Sequence, residues 1–137
     1  MIVLDTNVIS ETMRPEPDAN VMNWLNSQPA AALFITSITL AELSFGIEVL
    51  PQGQRKLALT QWLADVKKLF VGRILPFDDA AAASYGVLAA QAKRAGKGFP
   101  LADGMIAATA DSRGFKVATR DSSAFEAVGL RLINPWS

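Results

Sequence analysis

Met1-Ile2-Val3-Leu4-Asp5-Thr6-Asn7-Val8-Ile9 opens the chain. Ile2 to Leu4 is a short, β-branched, apolar run of the kind that forms a buried strand. An acid follows it at once. Val8, Ile9 and Met13 then mark a helical stretch that stops at the breaker segment Arg14-Pro15-Glu16-Pro17. A strand that runs through one acidic residue into a helix sets the pattern for the rest of the chain.

Asp18 is placed to cap a second helix carrying Val21, Trp24 and Leu25, which Pro29 ends. Leu33 to Thr36 reads as a second strand. A helix from near Thr39 carries Leu40, Leu43, Ile47 and Leu50, and Pro51-Gln52-Gly53 is a turn. Leu59, Leu63, Val66 and Phe70 form the spine of an amphipathic helix from about Arg55 to Phe70. Arg73 to Phe77 reads as a third strand, and Asp78-Asp79 opens an alanine-rich helix ending at Gly96. A further helix spans about Ala102 to Ser112. Lys116 to Thr119 is a fourth strand, Ser123 to Ala127 a short helix, and Leu132-Ile133 a last strand. Alternation of this kind implies an α/β fold: a mostly parallel sheet of about four to five strands flanked by helices. The expected organisation is one domain over residues 1–137, with no repeat or linker.

Composition narrows the chemistry. The chain has 137 residues, half of them hydrophobic, enough for one sizeable core. No apolar run reaches membrane-spanning length, and the N-terminus lacks the basic region of a secretory signal. With no cysteine, a cytoplasmic address is expected. Thirteen basic and thirteen acidic residues cancel, which argues against coating nucleic acid by bulk charge. Histidine and cysteine are both absent, so Cys–His and Ser–His–Asp catalysis and imidazole- or thiolate-bound zinc are excluded. Carboxylates remain, and they favour hard cations such as Mg²⁺ or Mn²⁺.

In open α/β sheets, ligands bind beyond the carboxyl ends of the strands. Asp5 follows the first strand, Asp121 the fourth and Asp78 the third. Glu42 lies early in the helix after the second strand, and Asp103 opens its own helix. Each acid has a plain alternative. Asp5, Asp103 and Asp121 sit where N-caps are expected, Glu42 stands three residues after Thr39 as in a capping box, and Asp78-Asp79 are first-turn acids. Capping explains each position separately and gives no reason for them to converge. Convergence would need a cation or protons to offset the repulsion. A carboxylate-held Mg²⁺ or Mn²⁺ can lower the pKa of water and stabilise a phosphodiester transition state. Arg73 and Arg120 each flank a strand and could meet a phosphate, with a surface salt bridge the plainer reading for Arg73. There is no Walker A sequence, and Gly96-Lys97-Gly98 is no dinucleotide fingerprint.

Leu4-Asp5-Thr6-Asn7-Val8-Ile9, Ile38-Thr39-Leu40-Ala41-Glu42-Leu43, Leu101-Ala102-Asp103-Gly104-Met105-Ile106-Ala107-Ala108-Thr109-Ala110 and Val117-Ala118-Thr119-Arg120-Asp121 form an ordered set. Together they resemble the PIN-domain toxins of the VapC type. Asp5 to Glu11, Gly72 to Asp78 and Asn134 to Trp136 add likeness to the FitB branch. The resemblance implies a PIN-like α/β domain acting as a Mg²⁺- or Mn²⁺-dependent endoribonuclease, the toxin of a type II toxin–antitoxin system. It maps metal-binding acids onto Asp5, Glu42, Asp103 and Asp121, with Asp121 as a direct ligand or an outer positioner. It maps supporting hydroxyls onto Thr6 and Thr119. It further implies an RNA substrate, a homodimer, and a ribbon-helix-helix antitoxin through which promoter DNA is bound indirectly. No membrane partner is expected.

Two other readings stand beside it. One is a PIN-fold binding module with a degenerate site that acts with an antitoxin. The other is a small metal-dependent phosphatase, because Asp5-Thr6-Asn7-Val8 is similar to the opening of haloacid-dehalogenase phosphatases, although they need a second Asp where Asn7 stands.

Overall fold

The computed structural model describes residues 1–137, the side chain of Ala124 excepted. Its elements run β1 (Ile2–Leu4), α1 (Thr6–Thr12), α2 (Ala19–Ser27), a 3₁₀ turn (Ala30–Ala32), β2 (Leu33–Thr36), α3 (Ser37–Glu48) and α4 (Gln54–Leu69). β3 (Ile74–Leu75), α5 (Asp79–Arg94), α6 (Leu101–Asp111), β4 (Lys116–Ala118), α7 (Ser123–Glu126) and β5 (Leu132–Ile133) complete the chain. The strands form one sheet in the order β3-β2-β1-β4-β5. Every pairing is parallel, so the expected "mostly parallel" sheet is wholly so.

Side chains alternate across a strand, and the sheet is buried on both faces. Ile2 and Leu4 of β1, with Ala118 of β4, face a core built from Val8 and Ile9 of α1, Val21 of α2, Leu43 and Ile47 of α3, and Leu63 and Val66 of α4. Val3 of β1 and Val117 of β4 face the opposite side, onto Ile106 and Ala110 of α6. α5 packs on α6, where Ala81, Ala92, Ala107 and Ala108 are buried and let the two helices approach closely. α4 buries Leu63 and Val66, as ordinary packing requires, and leaves Leu57 and Leu69 exposed.

Helix starts follow side-chain chemistry. Asp18 accepts from the N–H groups of Asn20 (2.8 Å) and Val21 (3.2 Å), and Asp78 from that of Ala81 (3.0 Å). α3 begins two residues earlier than the Thr39 start read from sequence, because Thr36 is its cap and accepts from the Thr39 N–H at 3.2 Å. β3 shrinks from the expected Arg73–Phe77 to two residues; Pro76, without an N–H, cannot extend the ladder. β4 ends at Ala118, one residue earlier than expected. α5 and α6 are left through Gly96 and Gly114, both at φ 71, a conformation that suits glycine.

Two charged residues hold turns together. Arg73 has no carboxylate partner among the described residues, so it is not the surface salt bridge expected of it. Its guanidinium donates to the carbonyls of Ala30 (2.7 Å), Leu33 and Leu69 (2.6 Å), and lies 4.9 Å from the Phe70 ring centroid. Glu11, which sequence reading passed over, is 5% exposed. Its carboxylate accepts from the Asp18 N–H at 2.9 Å and from Arg14 at 3.4 Å, closing the proline-containing turn between α1 and α2.

Ile35 of β2 is fully buried. Ile35→Ala should lower unfolding free energy by about 3 kcal/mol through lost burial and the cavity left behind. Val87→Ala, on an exposed face of α5, should stay within about 0.5 kcal/mol. Urea titration of the two variants checks the contrast.

Candidate active site

The strand order places β1 in the middle of the sheet. The chain builds outward from it through β2 and β3 on one side, then returns to build β4 and β5 on the other. The crevice at such a reversal, beyond the strands' carboxyl ends, is where open α/β sheets bind ligands. Asp5 leaves β1 there, and the loop of Thr119 to Asp121 leaves β4 beside it. α3 follows β2 and α6 precedes β4, so in a parallel sheet the N-terminal turns of both helices lie at the same edge. Those turns carry Glu42 and Asp103.

The side chains meet in one cavity of about 330 Å³, lined by Asp5, Glu42, Asp103 and Asp121 together with Thr6, Asn7 and Ser10. All four acids singled out from the sequence are therefore brought together, and Asp78 is not. Asp78 caps α5 and pairs with Arg113 at 3.2 Å; its N-cap hydrogen bond and that arginine hold its carboxyl below the usual range.

The capping alternatives fare unevenly. Asp5 does accept from the Thr6 N–H at 2.7 Å. Asp103 caps nothing: Pro100 is the N-cap of α6, without a side-chain bond. Asp121 is not a cap either, since Ser122 holds that position for α7. Glu42 is in no capping box, because Thr39 lies inside α3. Glu42 Oε1 instead accepts from Thr6 Oγ1 at 2.6 Å, and Thr6 Oγ1 lies 3.0 Å from Thr39 Oγ1.

Thr119 ties the two central strands at the site. Its fully buried hydroxyl donates to Asp5 Oδ2 at 2.8 Å and accepts from the Asp121 N–H at 3.1 Å. Asn7 Nδ2 also reaches it at 3.4 Å. The Asp5 main chain joins the same junction, donating to the Ala118 carbonyl at 2.9 Å. Thr6 and Thr119 thus each hold one acid in place. Arg120 lies on the exposed side of this loop with its guanidinium 5.1 Å from the Trp136 ring centroid.

The electrostatics are strained. Burial raises the Asp5 carboxyl above its ordinary value; the bonds from Thr119 and Thr6 work against that rise, and the charges of Glu42 and Asp121 add to it. Asp103 is pushed up to about 6, chiefly by burial and then by the charges of Asp5, Glu42 and Asp121. Among the described residues, none of the four acids has a lysine or arginine within salt-bridge distance. Among the described residues no three acids lie close enough together to hold a metal ion as they stand. Asn7 adds a buried Oδ1 with no hydrogen-bond partner among the described residues. Uncompensated carboxylates, hydroxyls and a spare amide oxygen are hard oxygen donors. They suit a divalent cation that keeps part of its water shell and so needs no closed protein cage.

The PIN domain family model matches residues 2–130. The chain belongs to the PIN-domain family. It is 52% identical over 137 residues to the VapC ribonuclease Y4jK of Sinorhizobium fredii, covering 99% of this chain and 98% of that protein. It is 45% identical to the toxin FitB of Neisseria gonorrhoeae, covering 99% of each. The solved structure of FitAB bound to an IR36 DNA fragment superposes with a TM-score of 0.95 at 43% identity, covering 100% of this chain and 96% of that one. The α/β PIN fold and the likeness to VapC and FitB expected from the sequence both hold.

This PIN domain should carry a pH signature. Folding raises the Asp103 pKa from 3.8 to about 6, so the folded state binds the proton more tightly. Stability is then highest below the unfolded value and falls as pH rises through about 6. Asp103→Asn removes that loss. It should be more stable than wild type above this window, by roughly 1–2 kcal/mol after allowing for solvent screening, with the gap closing at low pH. Thermal melts across pH in metal-free buffer test this, and a gap independent of pH would contradict it. Thr119→Val, which strips Asp5 of a buried partner, should cost about 1–3 kcal/mol in the same melts.

Proposed function

We propose that this PIN domain is a divalent-metal-dependent endoribonuclease and the toxin of a type II toxin–antitoxin pair. The observation that carries the reading is the convergence of Asp5, Glu42, Asp103 and Asp121 on one cavity at the sheet's reversal point, without cationic partners. Relatives named as a VapC ribonuclease and as the toxin FitB support RNA as the substrate and a toxin's role.

In this reading Asp5, Glu42 and Asp103 hold Mg²⁺ or Mn²⁺, and Asp121 either joins them or orients the ligand shell. When bound, the ion supplies charge neutralisation and activation of water for in-line hydrolysis of a phosphodiester. The chain's own residues do the positioning. Thr119 fixes the Asp5 carboxylate and the backbone that carries Asp121. Thr6 fixes Glu42, so its lone pairs are aimed before any ligand arrives. With no histidine in the chain, proton transfer falls to carboxylates and water.

The partners in the same reading are an RNA strand, a second copy of the chain, and a cognate antitoxin of ribbon-helix-helix type. FitAB, solved on a DNA fragment, and VapBC2 of Rickettsia felis, solved on a fragment from its promoter, support DNA contact made through the complex. Among the described residues no helix is long and apolar enough to cross a membrane.

Purified wild type should cleave RNA with Mg²⁺ or Mn²⁺ and stop with EDTA. A folded Asp103→Asn protein should lose at least a hundredfold in rate, the order of a lost charge-stabilising group. Mg²⁺ should also raise the melting temperature of wild type and leave that of Asp103→Asn nearly unchanged. A wild-type protein that neither cleaves RNA nor responds to metal would make the chain a PIN-fold binding module acting with its antitoxin.

A further inference from the structure

Arg120 immediately precedes Asp121, which lines the acidic cavity. Its guanidinium stacks on Trp136. That ring is itself held: the Trp136 N–H donates to Asn134 Oδ1 at 2.9 Å, its carbonyl accepts from Asn20 Nδ2 at 3.1 Å, and the indole packs against the larger core. Arg113, Arg131 and Arg14 are engaged by protein acceptors, Asp78, the Gly114 carbonyl and Glu11 in turn. Arg120 is exposed and, among the described residues, has no carboxylate within salt-bridge distance.

An exposed arginine ordinarily spends its charge over many rotamers. Stacking on a fixed indole confines the guanidinium and leaves its N–H edges open. An anionic strand approaching four carboxylates is repelled, and a confined cation next to Asp121 offsets part of that repulsion. The planar donor edge matches two phosphate oxygens at once. We propose that Arg120, seated on Trp136, binds an RNA backbone phosphate next to the one cleaved and so sets the register of the strand over the acids. The proposal rests on the ribonuclease reading and gives it a substrate contact that lies outside the acid set.

The test measures binding apart from turnover. A fluorescein-labelled single-stranded RNA of mixed sequence is titrated with Asp103→Asn protein by anisotropy, at a fixed low magnesium concentration and over a range of potassium chloride. Wild-type cleavage of the same RNA is followed alongside. Adding Arg120→Ala should weaken binding about tenfold, the size of a charge-assisted hydrogen bond. It should also reduce the slope of log affinity against log salt by about 0.7, one phosphate contact on a single strand. Arg120→Lys should restore the slope and only part of the affinity, since it keeps the charge and loses the stacked fork.

If Arg120→Ala binds as its parent does while wild type cleaves, this proposal fails and the ribonuclease reading stands. A lower melting temperature with an unchanged slope would also overturn it, making Arg120 a clasp for the C-terminal segment. If the parent binds no RNA and wild type leaves the RNA intact, both fall together.

Discussion

Parallel strands that each return through a helix must all end on the same edge of their sheet. That constraint organises this molecule. The four pairings of β3, β2, β1, β4 and β5 bury both faces, so polar side chains are driven to the strand ends, where backbone and solvent can satisfy them. The reversal of strand order between β1 and β4 then opens a crevice at that edge, and the residues that leave the two central strands line it. Asp5 donates its N–H to the Ala118 carbonyl, and the next residue of β4's exit, Thr119, donates its hydroxyl back to the Asp5 carboxylate. One junction thus closes the sheet and shapes the site.

Concentrating carboxylates in this way works against folding. The protein relieves part of the strain through neutral donors and none of it, among the described residues, through salt bridges. Thr119 and the Thr6 N–H stabilise the charged form of Asp5, and the Thr6 hydroxyl stabilises Glu42. Asp103 accepts no such hydrogen bond among the described residues, and burial and the neighbouring charges push its carboxyl up to about 6. Arginines elsewhere serve the scaffold: Arg113 steadies the cap of α5, and Arg73 gathers three carbonyls at the base of β2 and β3. Such a distribution leaves the four acids of the cavity without a cationic partner among the described residues.

Much of this was legible in the chain. The apolar run at Ile2 to Leu4, the caps Asp18 and Asp78 and the break at Arg14 to Pro17 are local signals, and local chemistry decides them. One boundary differed where two neighbouring threonines offered the same cap. Thr36 took the cap that sequence spacing assigned to Thr39, because the end of β2 leaves Thr36 extended and free to bond forward. The capping-box reading of Glu42 failed for the same reason. Glu11 escaped notice because nothing local marks an acid that folds back to receive an amide seven positions on. Nor does any local signal pair Trp136 with Arg120, sixteen positions earlier, whose guanidinium lies on its ring.

By itself the sequence determined the class of the protein. The alternation of apolar runs specifies strand and helix, the absence of histidine and cysteine limits the chemistry to oxygen donors, and the ordered acid motifs carry the family. Tertiary structure alone decided which acids cap and which converge. A cap bonds within a few residues of itself, whereas the hydrogen bonds from Thr6 to Glu42 and from Thr119 to Asp5 join residues 36 and 114 positions apart. Such pairs exist only once the sheet has brought the ends of its strands together.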